Sequence, residues 1–123
     1  MENKHTGTGR VWPKDVPAFM ELTLTEENGE ILRAEFRCSK DDALARCGST
    51  LCALLPGHAV CDLFFTDNNV IYYNIDPPLK RDALWKASLA VLAAKRAAAN
   101  WCGKNGVPVP AGEDGCACLN ETD

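Results

Sequence analysis

Seven cysteines are the side chains of this chain best suited to chemistry. A thiolate ligates soft metals, attacks electrophiles and exchanges with disulfides. The number is odd, and Met1–Arg10 is polar with no apolar signal core. An exported disulfide framework is therefore not expected; free thiols in a reducing compartment are, with the cytoplasm as the expected location. Three uses stay open: core filling, metal binding and redox chemistry. Cys116-Ala117-Cys118 is the one close pair. Two thiols that near each other can share a soft metal or close a strained disulfide, or they are incidental thiols of a solvated tail. No C-x2-C or His pair stands ready to complete a four-ligand zinc site. Cys47 falls at the helical spacing of Leu44 and Leu51 and is expected in the core. Cys52, five residues on, points elsewhere. Cys61 is expected to be buried, and Cys102, near the end of the last helix, partly exposed.

His5 and His58 are the only histidines, and nothing in the sequence places either beside a cysteine as a nucleophile pair needs. No hydrolase elbow, phosphate loop or dinucleotide glycine pattern is present, so an enzyme is not expected. Gly7 and Gly9 suit a strand or bulge. Thirteen Lys and Arg against seventeen Asp and Glu leave a net charge of −4 without a basic run, which excludes the cationic surface that nucleic acid demands. No apolar run approaches the ~20 residues of a membrane span. With 46% hydrophobic and 24% charged residues, the composition is that of one globular domain and not of a disordered chain or coiled coil.

The elements that must position these residues read as strands, then helices, then a tail. Met20, Leu22 and Leu24 alternate with polar residues, as do Leu32, Ala34 and Phe36; Asn28-Gly29 between them is a hairpin turn. Thr8–Trp12 adds a third strand. Ser39-Lys40-Asp41-Asp42 forms a capping-box pattern before a helix carrying Leu44, Cys47, Leu51 and Leu54, stopped by Pro56-Gly57. His58–Ile75 stays open: Ala59, Cys61, Leu63 and Phe65 alternate like a strand, yet Thr66-Asp67 could cap a short helix through Tyr73. Asp82 is expected to cap a long helix whose apolar stripe is Trp85, Leu89 and Leu92 and which Gly103 stops. Trp12, Trp85 and Trp101 are expected in the core or at its edge. The expected fold is α+β: a small three-stranded antiparallel sheet with helices on one face, over residues 1–105, followed by a flexible cysteine-containing tail, 106–123.

Four segments together resemble the NifU-like, IscU-type iron–sulfur cluster assembly scaffolds. Thr6-Gly7-Thr8-Gly9-Arg10-Val11 looks like that family's V-G-T-G-x-V opening, and Gly29–Phe36 its G-x-I-x-x-A-x-F strand. The spacing from Phe36 to Gly57 is similar, and Asp76-Pro77-Pro78-Leu79-Lys80 resembles L-P-P-V-K before an Ala-rich last helix. The resemblance covers about residues 6–100; the family's N-terminal helix has no counterpart. It implies the same sheet-and-helix fold, iron or an iron–sulfur cluster as cargo, sulfur delivery by a cysteine desulfurase, and a chaperone contact at the loop Asp76–Lys80. The ligand positions depart from the pattern. Val16 stands where the first family cysteine would be and Ala18 where an Asp would; Asp41 takes the second cysteine's place, and Asp82-Ala83 the final His-Cys. On the resemblance, Asp41 and Asp82 begin two helices whose N-termini converge, either as simple N-caps or, with Cys38, as a hard-donor site for iron or another divalent metal. Cys116 and Cys118 could supply the missing thiolates. Two functions follow: a scaffold or metal carrier with a non-standard ligand set, or a degenerate homologue that binds no cluster and serves as a protein-binding or regulatory module.

Overall fold

The computed structural model describes residues 4–109. Strands β1 (Lys4–Val11), β2 (Met20–Glu27) and β3 (Glu30–Cys38) form one antiparallel sheet in that order. Asn28 (φ 58°) and Gly29 (φ 83°) make the tight β2–β3 turn, a conformation those two residue types adopt at low cost. Helix α1 (Asp42–Leu54), a 3-10 helix over Val60–Phe65, the single-turn α2 (Asn69–Tyr72), a 3-10 turn over Arg81–Ala83 and the long α3 (Trp85–Asn105) follow. The helices cover one face of the sheet, as the strand alternation requires. That face presents Met20, Leu22 and Leu24 to Leu44, Cys47 and Leu51 of α1 and to the alanines of α3. The other face is charged; Glu21 there sits between Arg10 and Arg37.

Helix α3 is held unusually close to the sheet. A Cβ on Gly7 would collide with the Ala97 carbonyl and Trp101, and one on Gly9 with the backbone of Ala93 and Ala97. Glycine in β1 and alanine in α3 thus let backbone approach backbone, and Ala90, Ala93, Ala94, Ala97 and Ala98 are all buried there. This corrects the expected stripe. Leu89 is buried and Leu92 packs half-buried against the core, but Trp85 is exposed, because the alanine face is the one narrow enough to enter. Trp101 is buried, whereas Trp12 and Trp85 are exposed.

Other boundaries also shift. A register shift at Thr25/Glu26 makes Leu32 the extra residue of β3; it is 40% exposed, while Ile31 takes the core position. His58–Ile75 forms no strand of the sheet, because the backbone at His58–Val60 bonds to the β2–β3 turn and then coils into the 3-10 helix. The α1 cap is Asp41, which accepts the Leu44 N–H at 3.0 Å; Ser39 instead accepts the Phe19 N–H through its hydroxyl. Asp82 lies inside the 3-10 turn and caps nothing; Leu84 precedes α3. Gly103 does not end α3. The helix runs to Asn105 and closes at Gly106 (φ 69°), whose N–H, like that of Val107, bonds to the Cys102 carbonyl. No helix among the described residues is long and apolar enough to cross a membrane.

Candidate functional site

Two helix beginnings do converge. The first turn of α1, the segment Pro77–Ala83 and the first turn of α3 enclose an open cleft of about 610 Å³ that contains both Asp41 and Asp82. Asp82 is exposed on its rim. Asp41 is the better engaged of the two. Its Oδ1 accepts the Leu44 N–H, and the Lys86 ammonium sits 3.0 Å from Oδ1 and 2.8 Å from Oδ2. The pair is largely shielded, with side-chain exposures of 17% for Lys86 and 27% for Asp41. The Lys86 hydrogen bond, and then the backbone N–H, hold the Asp41 carboxyl below its ordinary range. Lys86 Nζ also lies 5.6 Å from the centre of the Trp85 ring.

A lysine in the first turn of a helix opposes the helix dipole. That misfit was the readable signal for Lys86: such a cation needs a carboxylate, and Asp41 supplies it from 45 residues away. Arg46 is the second side chain the sequence did not single out. It donates through Nη1 to the Pro77 carbonyl at 2.6 Å, tying the Asp76–Lys80 loop to α1, and its Nε lies 3.4 Å from Asp42. In that loop Asp76, Pro77, Pro78 and Lys80 are exposed and Leu79 is half-buried.

Cys38 does not line the cleft; it packs half-buried at the sheet end, and burial followed by the nearby Asp41 charge raises its thiol pKa. Val16 packs against the core and Ala18 is within it. Cys116 and Cys118 lie outside the described residues. Among the described residues, no three of His, Cys, Asp and Glu are grouped to hold a metal. Cys47 is buried as expected, and its thiol is pushed up to about 11. Burial likewise pushes Cys52 up to about 12. Cys61 is only half-buried and Cys102 fully buried, the reverse of the expectation for each, because the 3-10 helix turns Cys61 toward the edge while α3 buries the Cys102 side.

A further polar constellation lies at the opposite end of α3. Glu26 is 3% exposed, on the core face of β2. Its Oε1 accepts the Trp101 indole N–H at 2.7 Å and meets His5 Nδ1 at 3.0 Å, and its Oε2 accepts the Gly29 N–H at 2.5 Å. Burial alone would raise this carboxyl, but the hydrogen bonds from Gly29, Trp101 and His5 outweigh it and hold the pKa low. Every partner is a structural element, so Glu26 pins the hairpin turn to α3.

The chain matches no family model and no curated protein.

Proposed function

We propose that this chain is a NifU/IscU-like domain that no longer carries a cluster and acts as a protein-binding module, engaging its partner through the Asp76–Lys80 loop and the adjoining cleft. The observation that carries this reading is the Lys86 ammonium held on both oxygens of Asp41. On the resemblance, that position belongs to a ligand cysteine. A fixed cation there neutralises the carboxylate, and incoming iron would have to break the ion pair before it could bind. The loop is presented by Arg46 at the cleft mouth, with two exposed prolines whose fixed φ lowers the ordering cost of binding. The resemblance makes a cysteine desulfurase the first partner to test.

A second reading keeps the scaffold or metal-carrier role, with Cys38, Asp41 and Asp82 as ligands, Cys116 and Cys118 as further donors, and iron, an iron–sulfur cluster or another divalent metal as cargo. It is favoured by the placement of Asp41 and Asp82 in one cleft. Anaerobic purification, followed by absorption spectra and metal analysis before and after ferrous iron and sulfide, separates the two. The module reading expects a colourless chain that binds a purified desulfurase, with affinity falling about tenfold in Arg46→Ala as the loop loses its anchor. Sulfide-to-iron charge-transfer bands that vanish in Cys38→Ala would overturn it in favour of the scaffold. A colourless chain that ignores the desulfurase would refute the partner.

A further inference from the structure

We propose that Asn28 is a deamidation site guarded by Glu26: the Asn28-Gly29 turn converts to aspartate or isoaspartate when the Glu26 carboxylate no longer holds the Gly29 N–H. Asn-Gly suits this reaction because glycine has no side chain to hinder attack by its own nitrogen. Packing does not protect the pair here. Asn28 is exposed at φ 58°, Gly29 follows at φ 83°, and nothing lies within 4 Å of a Cβ placed on Gly29. What protects it is the hydrogen bond from Gly29 N–H to Glu26 Oε2, at 2.5 Å. The guard is itself held in place. Glu26 is 3% exposed, and its Oε1 accepts the Trp101 indole N–H at 2.7 Å and meets His5 Nδ1 at 3.0 Å. On the other side of the turn, Val60 N–H donates to the Gly29 carbonyl at 3.0 Å.

The reaction begins when Gly29 N–H gives its proton to a solvent base. A carboxylate bonded to that N–H opposes this step, because the charge-assisted bond must break and the nascent amide anion is repelled. The freed nitrogen attacks Asn28 Cγ. The N–Cγ bond forms, the Cγ–Nδ2 bond breaks, and Nδ2 leaves as ammonia with a proton from water. Water then opens the cyclic imide at either carbonyl. One water is consumed, one ammonia is released and no electrons are transferred. The product places a new negative charge between Glu27 and Glu30, which face each other across the turn. Isoaspartate also adds a methylene to the backbone beside the Gly29 carbonyl that holds Val60. Deamidation therefore loosens the hairpin from the segment that follows α1.

The test incubates the full folded chain at neutral pH, then maps it by mass spectrometry for amide-to-acid conversion and for isoaspartate. Asn105-Gly106 is the internal reference. Its Gly106 N–H bonds to the Cys102 carbonyl and its Asn105 Nδ2 donates to the Trp101 carbonyl at 2.9 Å, so neither depends on the Glu26 side chain. In urea both sites should convert; in the folded parent both should be slow. Glu26→Met should speed conversion of Asn28 by about tenfold or more, the factor a hydrogen bond to a charged group is worth, with Asn105 unchanged. Glu26→Gln, which keeps an oxygen but not the charge, should fall between parent and Glu26→Met, and it carries the test alone if Glu26→Met does not fold. His5→Ala removes a different contact of Glu26 and should leave Asn28 at the parent rate. Conversion of Asn28 in the folded parent at its urea rate, no acceleration in either Glu26 variant, equal acceleration of Asn28 and Asn105, or an Asn28 as fast in His5→Ala as in Glu26→Met would each overturn the proposal.

Discussion

Replacing Lys86 by methionine, Asp41 by alanine, and both together makes a thermodynamic cycle on the contact that governs the cleft. Asp41 performs two jobs, capping α1 through Leu44 and neutralising Lys86. Loss of an Asp N-cap costs about 1 kcal/mol. An exposed ion pair contributes about 0.2–1 kcal/mol, and breaking a buried one costs about 3–5 kcal/mol. With exposures of 17% and 27% the pair lies between these limits, so a coupling of about 1–2 kcal/mol is expected. Asp41→Ala should then cost about 2–3 kcal/mol and Lys86→Met about 1–2 kcal/mol, read from urea unfolding at pH 7. The sign of the pH dependence follows from Asp41. Its folded pKa lies below its ordinary value of 3.8, so its contribution is complete above that value and is lost as pH falls through the folded pKa. The coupling measured at pH 7 should thus shrink in strong acid. A coupling indistinguishable from zero at pH 7, or a Lys86→Met chain more stable than the parent, would refute the claim that this ammonium is the fixed counter-ion of Asp41.

Two further substitutions probe the elements that hold the cleft in place. Gly9→Ala should destabilise by about 3 kcal/mol, the upper range for overpacking, because the new methyl meets rigid backbone of Ala93 and Ala97; thermal unfolding of the variant checks it, and an unchanged melting temperature would mean that α3 does not lie so near β1. Glu26→Gln should cost about 1–3 kcal/mol, since its amide cannot accept from Trp101, His5 and Gly29 together and sets one donor against another. Glu26 in the parent has a folded pKa below 4.5, so its stabilisation is present above pH 4.5 and is lost as pH falls through the folded pKa. The acid limb of the stability curve should therefore flatten in the variant, and a limb as steep as the parent's would contradict this role.

The sequence by itself determined the hairpin, the start of α1 and the fold class. Period-two alternation in β2, Asn28-Gly29 at the turn and a carboxylate at Asp41 are local signals, and local geometry obeys them. Tertiary packing decided the rest. On α3 a hydrophobicity pattern favours Trp85 for the buried face, whereas only the small alanines admit the backbone contact with Gly7 and Gly9. Glu26 falls on the core face through the unbroken alternation of β2, but nothing local in the sequence names its partner; Trp101, 75 residues on, supplies the donor. Asp41 was legible as a candidate and even as a cap, but its fixed counter-ion was not. Propensity and periodicity act over a few residues. A charge's partner is set by which surfaces fold together, and the sequence carries that only through the whole packed core.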